Sequence, residues 1–120
     1  MTVDTQADSR QALLDELAGI DELALAILCE LGEVPSPGGM SLPRLGKRLG
    51  QGASVLLRQL TAMSAATVAG VPGPGWVRVA QDEERWLAFI TEAGSAQRDR
   101  WLAVLAQAQA LHADAVERAP

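Results

Sequence analysis

Tyrosine is absent from these 120 residues, and phenylalanine, histidine and cysteine occur once each. A lone cysteine, Cys29, excludes an internal disulfide framework. It sits in a strongly apolar helical run with no basic residue nearby in sequence, which reads as a structural thiol. The single histidine, His112, has no second histidine or cysteine at ligand spacing, so no metal or cofactor site is expected. No nucleophile–base pair can be assembled around it, and the chain is not expected to be an enzyme. No apolar run approaches the roughly 18 residues of a membrane span. The stretch from Met1 to Arg10 is polar and acidic and lacks the pattern of a secretory signal. With one cysteine and no export signal, a reducing cytoplasm is the expected compartment. The aromatics are few, at Trp76, Trp86, Phe89 and Trp101, while alanine and leucine abound, which favours helices.

Charge of one sign is missing from the middle of the chain. The formal net charge is −5, which at face value argues against a polyanionic partner. Residues 1–33 hold eight acids (Asp4, Asp8, Asp15, Glu16, Asp21, Glu22, Glu30, Glu33) against Arg10. Residues 34–81 hold Arg44, Lys47, Arg48, Arg58 and Arg78 and no carboxylate. Residues 82–120 hold seven acids against Arg85, Arg98, Arg100 and Arg118. The net charges are therefore −7, +5 and −3. A solvated face would account for the basic run, but an anion-facing surface accounts for both its sign and its length.

The length suits one domain, taken as 9–120 after a patternless, disordered 1–8. Asp8 and Gln11 resemble a capping box that starts a helix at Ser9. Apolar residues recur at helical spacing from Ala12 through Leu31, interrupted at Gly19, with Asp21 able to cap a second helix. One bent helix or two short ones both fit. Val34-Pro35-Ser36-Pro37-Gly38-Gly39 is irregular. Ser41 precedes a short helix with Pro43 in its first turn and Gly50 at its end. Gln51-Gly52-Ala53 is a tight turn. A helix follows from Ala53 to Ala65, burying Leu56, Leu60 and Met63. Thr67–Val71 reads as a strand. Trp76–Ala80 and Arg85–Thr91 form a hairpin around the polar tip Gln81-Asp82-Glu83-Glu84. Ser95 is the expected cap of a last helix with an apolar stripe at Trp101, Val104, Leu105, Ala108, Leu111 and Ala115.

Helix, short helix, tight turn, helix, hairpin, long helix is the order of a winged helix-turn-helix. The fold class expected is mainly α with a small β-hairpin or three-stranded wing sheet. Ser41-Leu42-Pro43-Arg44-Leu45-Gly46-Lys47-Arg48-Leu49-Gly50 followed by Gln51–Met63 resembles the leucine-spaced helix, glycine turn and recognition helix of that family. Gly46 stands where a small residue lets the two helices cross. Ile90-Thr91-Glu92-Ala93-Gly94 resembles the Leu-Thr-x-x-Gly ending of the wing in MarR-type regulators, and Asp82 stands nine residues before Thr91, as their wing-tip aspartate does. The resemblance covers about residues 20–115.

It implies double-stranded DNA as partner. Gln51, Ala53, Ser54, Val55, Arg58 and Gln59 would face the major groove. Arg58 suits a guanine edge and Gln59 an adenine. Arg44, Lys47 and Arg48 would sit at phosphates, and Arg78 and Arg85 would come from the wing. A homodimer is implied, its interface drawn from Leu13, Leu17, Trp101, Val104, Leu105, Ala108 and Leu111. Three departures stand out. Glu84 occupies a wing position where arginine is common, Leu57 one where a polar contact residue is common, and Thr67 to Pro74 is an insertion between recognition helix and wing. Two alternatives remain open: a winged-helix protein-interaction module without DNA binding, and a regulator responding to a small-molecule effector held between sheet and dimer helices.

Overall fold

The computed structural model of the chain describes residues 3–33 and 39–118. The elements run α1 (Val3–Ala18), α2 (Glu22–Gly32), β1 (Met40–Ser41), α3 (Leu42–Leu49), α4 (Ala53–Met63), β2 (Thr67–Val68), β3 (Val71–Pro72), β4 (Val77–Asp82), β5 (Arg85–Ile90) and α5 (Glu92–Arg118). This is a mainly helical chain with a small antiparallel sheet, compatible with a winged helix. The irregular stretch expected at 34–38 and the side chain of His112 lie outside what is described. Packing divides the chain into two compact units, Asp21–Arg98 and Met1–Ile20 with Asp99–Pro120.

In the unit Asp21–Arg98, Asp21 Oδ1 accepts the Ala24 N–H at 3.0 Å and starts α2. Two helices are therefore present rather than one bent helix. Ala24, Ile27, Leu28 and Leu31 are buried on one stripe of α2. Ser41 Oγ caps α3 by accepting the Arg44 N–H at 3.4 Å, with Pro43 in the first turn, where its missing N–H costs nothing. Gly50 ends α3 at φ +67°, a left-handed conformation open to glycine without penalty. Helix α4 buries Leu56, Leu60 and Met63 as expected and stops at Met63, before the expected Ala65. Ile27, Leu28, Leu45, Leu56 and Leu60 are fully enclosed, each contributing about 1.5–3 kcal/mol of apolar burial.

The main sheet has order β1-β5-β4, all antiparallel. Its third strand is β1, which pairs Met40 with Ala88 and Ser41 with Leu87. The Thr67–Val71 segment, read from sequence as one strand, instead folds on itself. Thr67 pairs with Pro72 and Val68 with Val71 around Ala69 and Gly70, whose φ values of +52° and +82° make a tight reversal. Its base is fastened to α4. Gly73 N–H donates to Ala66 O at 2.9 Å, Gly75 N–H to Ser64 O at 3.2 Å and Trp76 N–H to Met63 O at 2.8 Å. The last two bonds satisfy carbonyls at the end of α4.

Trp76 also carries the start of α5. Its carbonyl accepts the Thr91 N–H at 3.0 Å. The Thr91 hydroxyl donates to Gly75 O at 2.6 Å and accepts the Gly94 N–H at 3.1 Å. Thr91, not Ser95, therefore caps α5, because the turn out of the wing already supplies a hydroxyl at the first open amides.

In the terminal unit, Leu13, Trp101 and Val104 are buried, and Arg100 meets Glu16 at 3.3 Å in an exposed pair of small energetic value. Helix α1 begins at Val3, not Ser9. The sequence of its first turns carries no apolar stripe to betray them. No helix of the described residues is long and apolar enough to cross a membrane.

A Cβ at Gly94 would overlap the Trp76 carbonyl oxygen. Gly94→Ala should therefore cost about 1–3 kcal/mol in urea unfolding. Gly19→Ala, whose methyl would meet only Glu16 O and Asp15 O at 3.6 and 3.7 Å, should be neutral or mildly stabilising. Equal midpoints for the two variants would contradict this packing.

Candidate nucleic-acid interface

The turn between α3 and α4 is drawn tight around Gly46. Its carbonyl accepts the Gly50 N–H, which ends α3, and the Gln51 N–H at 2.9 Å. A Cβ at Gly46 would stand 2.7 Å from Gln51 O and 3.2 Å from Leu56 Cδ1. Only glycine permits this approach, and the approach sets where α4 points.

Helix α4 buries one stripe and exposes Ser54, Val55, Leu57, Arg58, Thr61 and Ala62. Val55 is 44% and Leu57 36% accessible. Gly52 at the N-cap offers no side chain, so the first amides of α4 are uncapped by any side chain and suit an anionic oxygen. Gln51 is exposed beside them. Arg44 and Lys47 are exposed on α3. Among the described residues, neither they nor Arg58 enter an ion pair.

Two of the expected contact residues are engaged inside the molecule. Arg48 Nε donates to Glu30 Oε2 of α2 at 2.5 Å, and that carboxylate holds the guanidinium even further above the ordinary arginine range. Gln59 Nε2 donates to Asp21 Oδ2 at 3.0 Å. The Gln59 amide expected to read a base is therefore engaged by the N-cap residue of α2. One carboxylate thus caps α2 and holds α4. Arg78 lies with its guanidinium carbon 4.2 Å from the centre of the Phe89 ring, its direct cross-strand partner. Arg85 is exposed and paired in register with Asp82, next to the exposed Glu83 and Glu84.

Leu57 and Val68 carry a feature that the sequence reading did not assemble. An open cleft of about 420 Å³ is lined by Ser54, Leu57, Arg58, Thr61, Ala62 and Val68. The helical spacing foretells the α4 residues, but Val68 belongs to the β2–β3 hairpin that follows α4, where helical spacing no longer applies.

Of the residues expected at a dimer interface, Leu13, Trp101 and Val104 are buried within one chain. Leu17, Leu105 and Ala108 are half-buried, and Leu111 is exposed. The outward apolar residues also include Leu14 and Leu102, which the stripe reading left out. Cys29 is half-buried on α2, and desolvation pushes its thiol up, against the lowering influence of Arg98. No cluster of His, Cys, Asp or Glu suited to a metal ion occurs among the described residues.

No family model and no curated protein matches the chain. Among solved structures it is similar to a protein of Ralstonia eutropha JMP134 described as a candidate DNA-binding protein. The two share 30% identity with a TM-score of 0.53, over 68% of this chain and 96% of that one. The chain belongs to the same family as that protein.

Asp21→Ala should cost about 0.5–2 kcal/mol in chemical unfolding through the lost cap, and Gln59→Ala about 0.5–1.5 kcal/mol. Because both remove the same bond, the double variant should lose less than the two single losses together. Full additivity would mean that the Asp21–Gln59 bond does not form. Cys29 should alkylate with iodoacetamide more slowly than a peptide cysteine at mildly alkaline pH, since its thiolate is disfavoured by burial. An equal or faster rate would contradict its placement.

Proposed function

We propose that the chain is a dimeric, MarR-like winged-helix regulator of transcription that binds double-stranded DNA sequence-specifically in the cytoplasm. The observation that carries this reading is the exposed surface of α3 and α4. Arg44, Lys47 and Arg58 stand there without ion-pair partners, within 48 residues that hold no carboxylate. The similarity to a protein described as a candidate DNA-binding protein supports the same reading. Helix α3 lies along the phosphates, and α4 presents Gln51, Ser54, Val55 and Arg58 to the major groove. Arg85 and Arg78 are secondary, since the tip beside them is acidic. The outward Leu14, Leu102 and Leu111 support pairing of two copies through the terminal helices. No catalytic role is assigned.

A second reading, a protein-docking module, draws support from the exposed Leu57 and Val68. It expects Leu57→Asp to abolish partner association while Lys47→Glu stays mild.

Fluorescence anisotropy with a labelled random-core duplex across a salt series separates the two. DNA binding requires affinity that falls as salt rises. Lys47→Ala should weaken binding to every duplex alike and reduce the slope of log K against log salt by about 1. Arg58→Ala should cost about 1–3 kcal/mol on preferred duplexes and relax choice at one base position. Salt-independent or absent binding of the wild-type chain would refute the proposal.

A further inference from the structure

The cleft on α4 has a composition that a purely phosphate-binding surface would not need. Its walls are Leu57, Ala62 and Val68, its single charge is Arg58, and no carboxylate enters it. Leu57 and Val68 remain 36% and 51% accessible, so a large part of their apolar surface faces water. Thr61, the other hydroxyl residue in the lining besides Ser54, donates its hydroxyl to Leu57 O at 2.7 Å, which commits that proton to the helix itself. From Gln59 to Val77 the chain carries no charge at all. A guanidinium thus stands at the edge of an apolar, open hollow.

We infer that this cleft reads the 5-methyl group of thymine, beside the base that Arg58 contacts. The inference rests on the DNA-binding reading and deepens it. In the major groove each base edge is a pattern of donors and acceptors, and the thymine methyl is the apolar group among them. A cytosine amino group pressed against Leu57 and Val68 would lose its water without a replacement acceptor. A thymine methyl loses nothing there and removes apolar surface from solvent. Arg58 in the lining, with Arg44 and Lys47 exposed and without ion-pair partners on α3, favours an anionic occupant over a neutral one, and the similarity to a protein described as a candidate DNA-binding protein commits us to duplex DNA. The insertion from Thr67 to Pro74 then has a purpose in recognition. Val68, on the first strand of the β2–β3 hairpin, makes a wall that α4 alone does not have.

The test uses a random-core duplex pool enriched by repeated capture on the full chain. The enriched pool is copied once with thymidine triphosphate and once with deoxyuridine triphosphate, which deletes only the methyl. Wild-type protein should bind the thymine copy about fourfold more tightly for each methyl seated. Leu57→Ala should bind the two copies alike while keeping the wild-type salt slope. Val68→Ala, changed on an exposed hairpin away from the core, should also narrow the difference. Equal wild-type affinity for the two copies, with salt dependence intact, overturns the thymine assignment and leaves DNA binding standing. Discrimination that survives undiminished in both variants overturns it too, since the methyl is then read elsewhere. If the wild-type chain captures no duplex at any salt concentration, the DNA-binding reading falls and this inference with it.

Discussion

The missing side chain at Gly46 is the constraint on which the rest of the surface depends. Its carbonyl closes α3 by accepting from Gly50 and then accepts from Gln51, so two successive amides converge on one oxygen. The chain can reverse that tightly only because nothing projects from position 46 into Gln51 O. Leu56 then drops against the same spot, and the buried stripe of α4 follows with Leu60 and Met63. Once that stripe is inward, Ser54, Leu57, Arg58 and Thr61 must face outward, because helical geometry leaves them no other side. The outward face is thus a consequence of one close approach, not of any preference of the exposed residues.

Polar groups elsewhere are used to hold this helix pair in place. Asp21 divides its two oxygens between the first turn of α2 and Gln59 of α4. Glu30 takes Arg48. Trp76 receives the end of α4 on its amide and the start of α5 on its carbonyl. The acids of α2 therefore neutralise one of the basic residues and leave Arg44, Lys47 and Arg58 uncompensated. What an approaching polyanion would meet is smaller than the charge count of residues 34–81 implies.

Much of this was legible in sequence where a local rule had no competitor. Ser41, Pro43 and Gly50 bound α3 because a cap, a tolerated proline and a left-handed glycine each act within one turn. Leu56, Leu60 and Met63 repeat at helical spacing and are buried. The illegible parts depend on distant partners. Gln59 has the character of an adenine reader until Asp21, thirty-eight positions away, claims it. β1 is two residues long and exists only because β5 lies beside it. Ala69 in a left-handed conformation is a choice no propensity favours, so a reversal there passed for a continuous strand. Trp101 and Val104 share a stripe with Leu111, but spacing cannot say which part of a stripe its own chain consumes.

That last distinction bears on how an acidic protein would approach DNA, as proposed. The chain as a whole is at −5, and Glu83 and Glu84 stand exposed at the tip of the β4–β5 hairpin. At distances beyond about 10 Å in ordinary salt these charges are screened, and they neither help nor hinder. Within that distance the local arrangement decides, and three uncompensated cations on one helix pair outweigh two glutamates only if the hairpin tip is held off the phosphates. Attraction from so few cations supplies little sequence-independent affinity. On the proposed DNA-binding reading, discrimination would therefore have to come from base edges, where Arg58 and the apolar wall beside it would act at contact distances that salt screens little. Two copies presenting that face together would multiply a modest local preference, and the apolar residues left outside on α1 and α5 are what such a pairing has to work with.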